Sequence, residues 1–234
     1  DQLSFRHIAC HGHKPWMVTP NLDKFSSKSI SFRRAYCSSP LCVPSRQSFY
    51  TGRTTRHHRC ICDMRLLRHN TMFHHLGDLG IPSFGIGKMD FRFDHDQFHG
   101  LTERPGNDIG AQDMEMGVNN SSSFNGNPVT TTNREIDEQC EVITNVSLEC
   151  LEKPGSNLVF TSFLKPHESL DSGIAYNAPN KFYQLYNHHC FEQSQEWGYA
   201  ANVSCLDYYV GQCLEKAKDK GLLDDTLVIF CGDH

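Results

Sequence analysis

Four short apolar runs are spaced along the chain and predict buried strands: Ser29–Phe32, Ser83–Gly87, Leu158–Leu164 and Leu227–Cys231. Between them the spacing changes to that of helices. Thr71 to Leu79 sets Met72, Leu76 and Leu79 on one face, with Gly80 as the stop. Trp197 to Lys220 carries Leu206, Val210, Cys213, Leu214 and Ala217 at helical spacing, closed by Gly221. Strands alternating with helices predict an α/β fold, a largely parallel central sheet flanked by helices on both faces. Gly117 to Asn133 is rich in Asn, Ser, Thr and Gly, and the wider stretch 106–157 reads as a long polar loop or insertion. The whole chain, residues 1–234, reads as one domain with that stretch inside it. Both ends look interrupted, since Cys231-Gly232-Asp233-His234 follows directly on an apolar run.

Composition narrows the function classes. At 38% hydrophobic and 21% charged residues the 234-residue chain has the makeup of a folded domain. A net charge of -5 argues against a nucleic-acid surface, so no nucleic-acid partner is expected. No apolar run is long enough to span a bilayer. Four Asn-x-Ser triplets, at Asn119, Asn120, Asn145 and Asn202, and 11 cysteines point to a glycosylated, disulfide-bearing chain in the secretory pathway. Its compartment is then outside the cell or the lysosome, with a bacterial periplasm or cytoplasm as the alternative.

The segment Cys42-Val43-Pro44-Ser45-Arg46 followed by Thr51-Gly52-Arg53 carries the chemistry. Pro44 and Ser45 suit a helix start, which would turn free N–H groups and Arg46 toward an anion near Cys42. A buried structural cysteine beside a turn proline would be the better reading of Cys-x-Pro alone; the added Ser, Arg and Thr-Gly-Arg overturn it. This segment resembles the signature of the formylglycine-dependent sulfatases, of the arylsulfatase and choline-sulfatase type. The likeness extends over nearly the whole chain. Thr19-Pro20-Asn21-Leu22-Asp23 resembles the lead into the signature, Gly87-Lys88-Met89-Asp90 the second strand end, and Lys165-Pro166-His167 the third. Asp96-Gln97-Phe98-His99-Gly100 with Glu103-Arg104 is similar to the choline-sulfatase branch.

That resemblance implies the N-terminal, partial catalytic domain of an alkaline-phosphatase-like fold, and a maturation enzyme that converts Cys42 to formylglycine. Its hydrate would attack the sulfur of a sulfate-ester substrate and later collapse to release sulfate, dividing one hard displacement into two steps. By the same resemblance Arg46 and Lys88 would hold sulfate oxygens and His167 would serve the departing alcohol, with Lys165, Asp90 and Arg104 as further substrate contacts. Asp1, Asp233, His234 and modified Cys42 would hold a cation, calcium first and magnesium second. The pattern departs from the family at Asp90, where relatives usually carry His, and at Asp1, where two adjacent acids are usual. Asp90 therefore raises altered specificity or loss of activity, leaving a catalytically impaired protein that binds sulfated ligands. Related phosphonate and phosphate monoester hydrolases share the signature and stand as a second alternative. A zinc module at His57-His58-Arg59-Cys60-Ile61-Cys62 is the third, weakened by the lack of a second paired half.

Overall fold

The computed structural model describes residues 1–63, 67–91, 98–105, 123–124, 127–128, 135–168, 176–186 and 195–234. Its helices are α1 (Pro20–Ser26), α2 (Cys42–Thr51), α3 (Thr55–His58), α4 (Met72–Asp78), α5 (Glu135–Leu151), α6 (Asn180–Tyr183) and α7 (Gln195–Asp219). The strands are β1 (Ser83–Gly87), β2 (Ser123–Phe124), β3 (Asn127–Pro128) and β4 (Leu158–Ser162). The chain divides into two units. The first holds Asp1–Ala35, Thr130–Thr144 and Leu164–Gly232; the second holds Tyr36–Val129, Asn145–Phe163, Asp233 and His234.

In the second unit β1 and β4 run parallel, in register from Ser83 opposite Leu158 to Gly87 opposite Ser162. The expected parallel pairing is present, and both strands deliver their next residues at the same end. Beneath them lies a core of Tyr50, Leu67, Phe73, Met89, Phe91 and Leu101. Tyr50, from α2, stacks edge-on against Phe91 and donates its hydroxyl to the Met89 carbonyl at 2.8 Å. One aromatic residue thus ties α2 to the chain leaving β1. Thr71 caps α4 in a reciprocal capping box with His74, and Gly80 turns out of the helix at φ 72°. The buried residue of α4 is Phe73 rather than Leu79, which is 73% exposed. The apolar face lies one position away from the one that spacing predicts.

In the first unit α1 packs on α7, whose Ala200, Ala201, Val203, Leu206 and Val210 are buried. Asp207 of α7 accepts from the backbone N–H of Asn21 and of Leu22, filling the capping role that Thr19 does not perform for α1.

Further expectations need correction. Ser29–Phe32 and Leu227–Cys231 are not strands: an apolar run becomes one only by ladder pairing, and among the described residues the pairings are β1 with β4 and β2 with β3. Ile30, Phe32, Leu227 and Ile229 are all exposed. The stretch 106–157 contains helix α5, with Cys140, Ile143, Val146 and Cys150 buried at helical spacing among polar neighbours; Gly117 to Asn133 lies almost wholly outside the described residues. No disulfide joins the cysteines of the described residues. Cys60, Cys140, Cys150 and Cys205 are buried, Cys62 is exposed, and Cys190 is not described. Asn202 is wholly buried, so its triplet offers no glycan acceptor, whereas Asn145 is exposed. Among the described residues no helix is long and apolar enough to cross a membrane.

Candidate active site

Helix α2 begins at Cys42 itself, with Leu41 extended before it, so Pro44 falls in the first turn. Ser45 does not cap the helix. Its hydroxyl donates to the Asp233 carbonyl, and its N–H bonds the Leu41 carbonyl at 3.0 Å. The N–H of Val43 is taken by the Asp63 carboxylate at 3.1 Å, so the helix start is already occupied by a side-chain acceptor. At the other end Gly52 adopts φ 64°, which explains the glycine of Thr-Gly-Arg: the turn out of α2 is left-handed.

Arg46, one turn beyond Cys42, is the electrostatic hub. Its guanidinium donates to the Lys88 carbonyl at 2.6 Å and to Ser162 Oγ at 2.9 Å. It meets Asp233 Oδ2 at 3.1 Å through Nη2 and at 3.2 Å through Nε, and Asp90 Oδ2 at 3.5 Å. Burial opposes its charge, but Tyr50, Asp233 and Asp90 outweigh that and hold its pKa above the ordinary value. The Tyr50 phenol is pushed up to about 12, mainly by burial. Both groups keep one protonation state at all ordinary pH.

Lys88 leaves the end of β1 with its N–H on the Ser162 carbonyl at 3.0 Å. Its buried ammonium lies 3.7 Å from Cys42 Sγ and 3.4 Å from Asp90 Oδ2. Cys42 Sγ is also 3.3 Å from His234 Nε2. Burial, with Arg46 and Lys88 adding to it, lowers the His234 pKa and favours a neutral imidazole. Cys42, Asp233 and His234 each turn a ligating atom into a space where these atoms lie within 4.8 Å of one another. A sulfur, a carboxylate oxygen and a neutral imidazole nitrogen are donors that could hold a metal, and replacing the sulfur by oxygen would shift the set toward hard cations.

The family model described as Sulfatase matches residues 1–234. This chain belongs to the sulfatase family. It is 27% identical over 292 residues to the choline-sulfatase of Rhizobium meliloti (strain 1021), covering 100% of this chain and 56% of that protein. The chain thus spans about half the length of that relative. Among solved structures it resembles the putative sulfatase yidJ from Bacteroides fragilis, with a TM-score of 0.69 at 18% identity over 97% of this chain and 58% of the other. It also resembles the phosphonate monoester hydrolase of Agrobacterium radiobacter, with a TM-score of 0.67 at 18% identity over 100% of this chain and 61% of the other. The fold is accordingly the alkaline-phosphatase-like α/β fold of the sulfatases.

Of the residues that the sulfatase resemblance singles out, Cys42, Arg46, Lys88, Asp90, Asp233 and His234 are brought together in the second unit. Arg104 is in that unit too, buried with its guanidinium 5.3 Å from the Phe91 ring centre. Asp1, Lys165 and His167 lie in the first unit. There the Asp1 backbone nitrogen donates to the Lys165 carbonyl at 3.3 Å. The Lys165 side chain is buried on Asn202 Oδ1 at 2.8 Å and Asn177 Oδ1 at 3.0 Å. His167 is half-buried, and its Nδ1 donates to the Glu168 carbonyl at 2.7 Å. Asp96 and Gln97 lie outside the described residues.

Two contributors escape sequence reading. Ser162 steadies Arg46, and its only sequence signal is its place at the end of an apolar run. Asp63 caps α2, with no signal at all in its surroundings. The His57–Cys62 cluster gathers no three ligating side chains within reach of a metal. His58 is buried, with Nδ1 accepting from the Cys60 N–H at 3.1 Å and Nε2 donating to Ser48 Oγ at 2.7 Å. It pins the turn after α2 and leaves no lone pair for a metal.

Proposed function

We propose that the protein hydrolyses sulfate monoesters, with Cys42 converted to formylglycine as the nucleophile. The carrying observation is the placement of the Lys88 ammonium 3.7 Å from Cys42 Sγ, at the helix end that Arg46 also serves. The thiol marks the position that the oxygens of the modified side chain would take. A sulfate group set against it meets Lys88 directly, and bond cleavage then builds negative charge beside a fixed cation. Arg46 acts chiefly through Lys88 and Asp233, holding the carbonyl of one and the carboxylate of the other.

Cys42, Asp233 and His234 are the residues of this unit that would hold a divalent cation, calcium before magnesium once residue 42 carries oxygen. A bound cation would supply Lewis acidity to the nucleophile. Asp1, Lys165, His167 and Arg104 enter this reading through the family resemblance alone, His167 as the group that serves the departing alcohol. The reading includes a formylglycine-generating maturation enzyme as a partner and a secretory or lysosomal location, supported by the exposed Asn145 triplet; a bacterial periplasm is the alternative. Which sulfate ester is cleaved stays outside it.

Mass spectrometry of the tryptic peptide Ala35–Arg46, from protein made in its native host, tests the proposal. Loss of the Cys42 sulfur with gain of an aldehyde oxygen is the expected result, together with release of sulfate from an aryl sulfate. An intact thiol and no turnover would overturn it and favour a protein that only binds sulfated ligands.

A further inference from the structure

Asp90 stands beside both cations of the site, at a backbone position that few residues accept. Its φ is 53°, in the left-handed region that Asn, Asp and His enter most readily among residues with a side chain. Its side chain is 5% exposed, with Oδ2 at 3.4 Å from Lys88 Nζ and 3.5 Å from Arg46 Nε. Arg46 also meets Asp233, so the ammonium facing Cys42 shares its charge with Asp90 while the guanidinium shares its own with two carboxylates. An anion docked at Cys42 therefore meets a cationic site whose positive charge is offset by a full carboxylate charge at close range.

We propose that Asp90 sets the charge of the anion this site accepts, favouring a singly charged sulfate monoester over a doubly charged phosphate monoester of the same shape. The inference rests on the reading of Cys42 and Lys88 as an anion site. The carboxylate repels either anion, and it repels the second charge of a phosphate ester once more. A unit charge acting across roughly 6 Å at an effective dielectric of about 40 changes binding on the order of tenfold per unit of anion charge.

The test compares phenyl sulfate with phenyl phosphate at pH 8, where the phosphate ester carries two charges. Binding is measured by calorimetry on the full chain as Cys42→Ala, which stops turnover, and as Cys42→Ala with Asp90→Asn. Asparagine keeps the left-handed backbone accessible and removes only the charge. The expected result is tighter binding of phenyl sulfate by Cys42→Ala, and a shift on the order of tenfold toward phenyl phosphate when Asn replaces Asp90. Asp90→His, whose backbone is equally tolerant, gives a second variant that must shift the ratio the same way. A ratio moved less than about threefold by both variants overturns the inference, as does preference of Cys42→Ala for phenyl phosphate; the threshold sits well below the tenfold expected from the charge. The two proposals fail separately. A shifted ratio with no hydrolysis of phenyl sulfate by the unsubstituted protein supports the inference and sinks the proposed reaction. Hydrolysis with an unshifted ratio does the reverse, and absence of binding to either anion overturns both.

Discussion

Replacing Arg46 by methionine removes the guanidinium and keeps much of its hydrophobic stem, so it isolates the charge. Arg46 is 5% exposed, and its partners Asp233 and Asp90 are 9% and 5% exposed at the side chain. Breaking a buried pair by deleting one partner costs about 3–5 kcal/mol, because the other charge stays buried. Against a total stability of about 5–15 kcal/mol this is roughly a fifth or more of the margin. The two carboxylates should not suffer equally. Asp90 still has the Lys88 cation at 3.4 Å, whereas Asp233 loses the Nε and Nη2 contacts that it draws from Arg46 and keeps a neutral donor, the His234 N–H at 3.0 Å. Adding Asp233→Asn to Arg46→Met should therefore recover about 1–3 kcal/mol, the cost of one stranded charged group. Adding Asp90→Asn should recover less. Equilibrium unfolding in urea with a chelator present measures all three, the chelator keeping any cation from neutralising Asp233. A single variant within about 1 kcal/mol of the parent would refute the reasoning, as would larger recovery from Asp90→Asn.

Two further predictions concern the scaffold of each unit. A Cβ on Gly85 would meet Leu101 Cδ1 at 2.5 Å and Met89 Cε at 3.2 Å, so Gly85→Ala should lower stability by about 1–3 kcal/mol; urea unfolding unchanged within about 0.5 kcal/mol would contradict this. Burial raises the Asp207 pKa, opposed by its bonds to the Leu22 and Asn21 N–H groups. The folded state then binds the proton more tightly than the unfolded state. Stability from this group is present at low pH and falls as pH rises from the ordinary carboxylate range through the raised folded pKa. The difference in melting temperature between the parent and Asp207→Asn should move in the parent's favour as pH is lowered from 7 toward 4. Movement the other way would place the charged form as the preferred one.

What could be read from the sequence follows from how local each signal is. The run Ser83–Gly87 became β1 residue for residue, and Leu158–Leu164 became β4 through Ser162, because each strand finds the other as its parallel partner. The long helix near the C-terminus was legible from Leu206, Val210 and Ala217, which lie on one buried face of α7. Leu227 to Cys231 has the same apolar character as β1, but Leu227 is 85% and Ile229 is 76% exposed. Apolar composition states a tendency to be buried, while strand formation also needs a second backbone within hydrogen-bonding distance. Helix α5 was missed for the opposite reason, since acids and amides between Cys140, Ile143 and Cys150 obscured a sound helical period.

The site divides along the same line. Cys42, Arg46 and Lys88 were legible because short motifs fix them, whereas their positions relative to one another depend on contacts remote in sequence. Arg46 reaches Ser162 across 116 positions and Asp233 across 187. Asp63 caps the first turn of α2 from 20 positions downstream, which overturns the picture of a helix start open to an anion. Cation delivery at this site therefore falls on Lys88, at the end of a strand, more than on the helix dipole. Asp90 is the converse case. The sulfatase resemblance alone reads it as a departure, and the 3.4 and 3.5 Å contacts to Lys88 and Arg46 show which charges it faces. A carboxylate there does not displace either cation. It reduces the charge that they present to Cys42, and a change of that kind acts first on which anion is accepted.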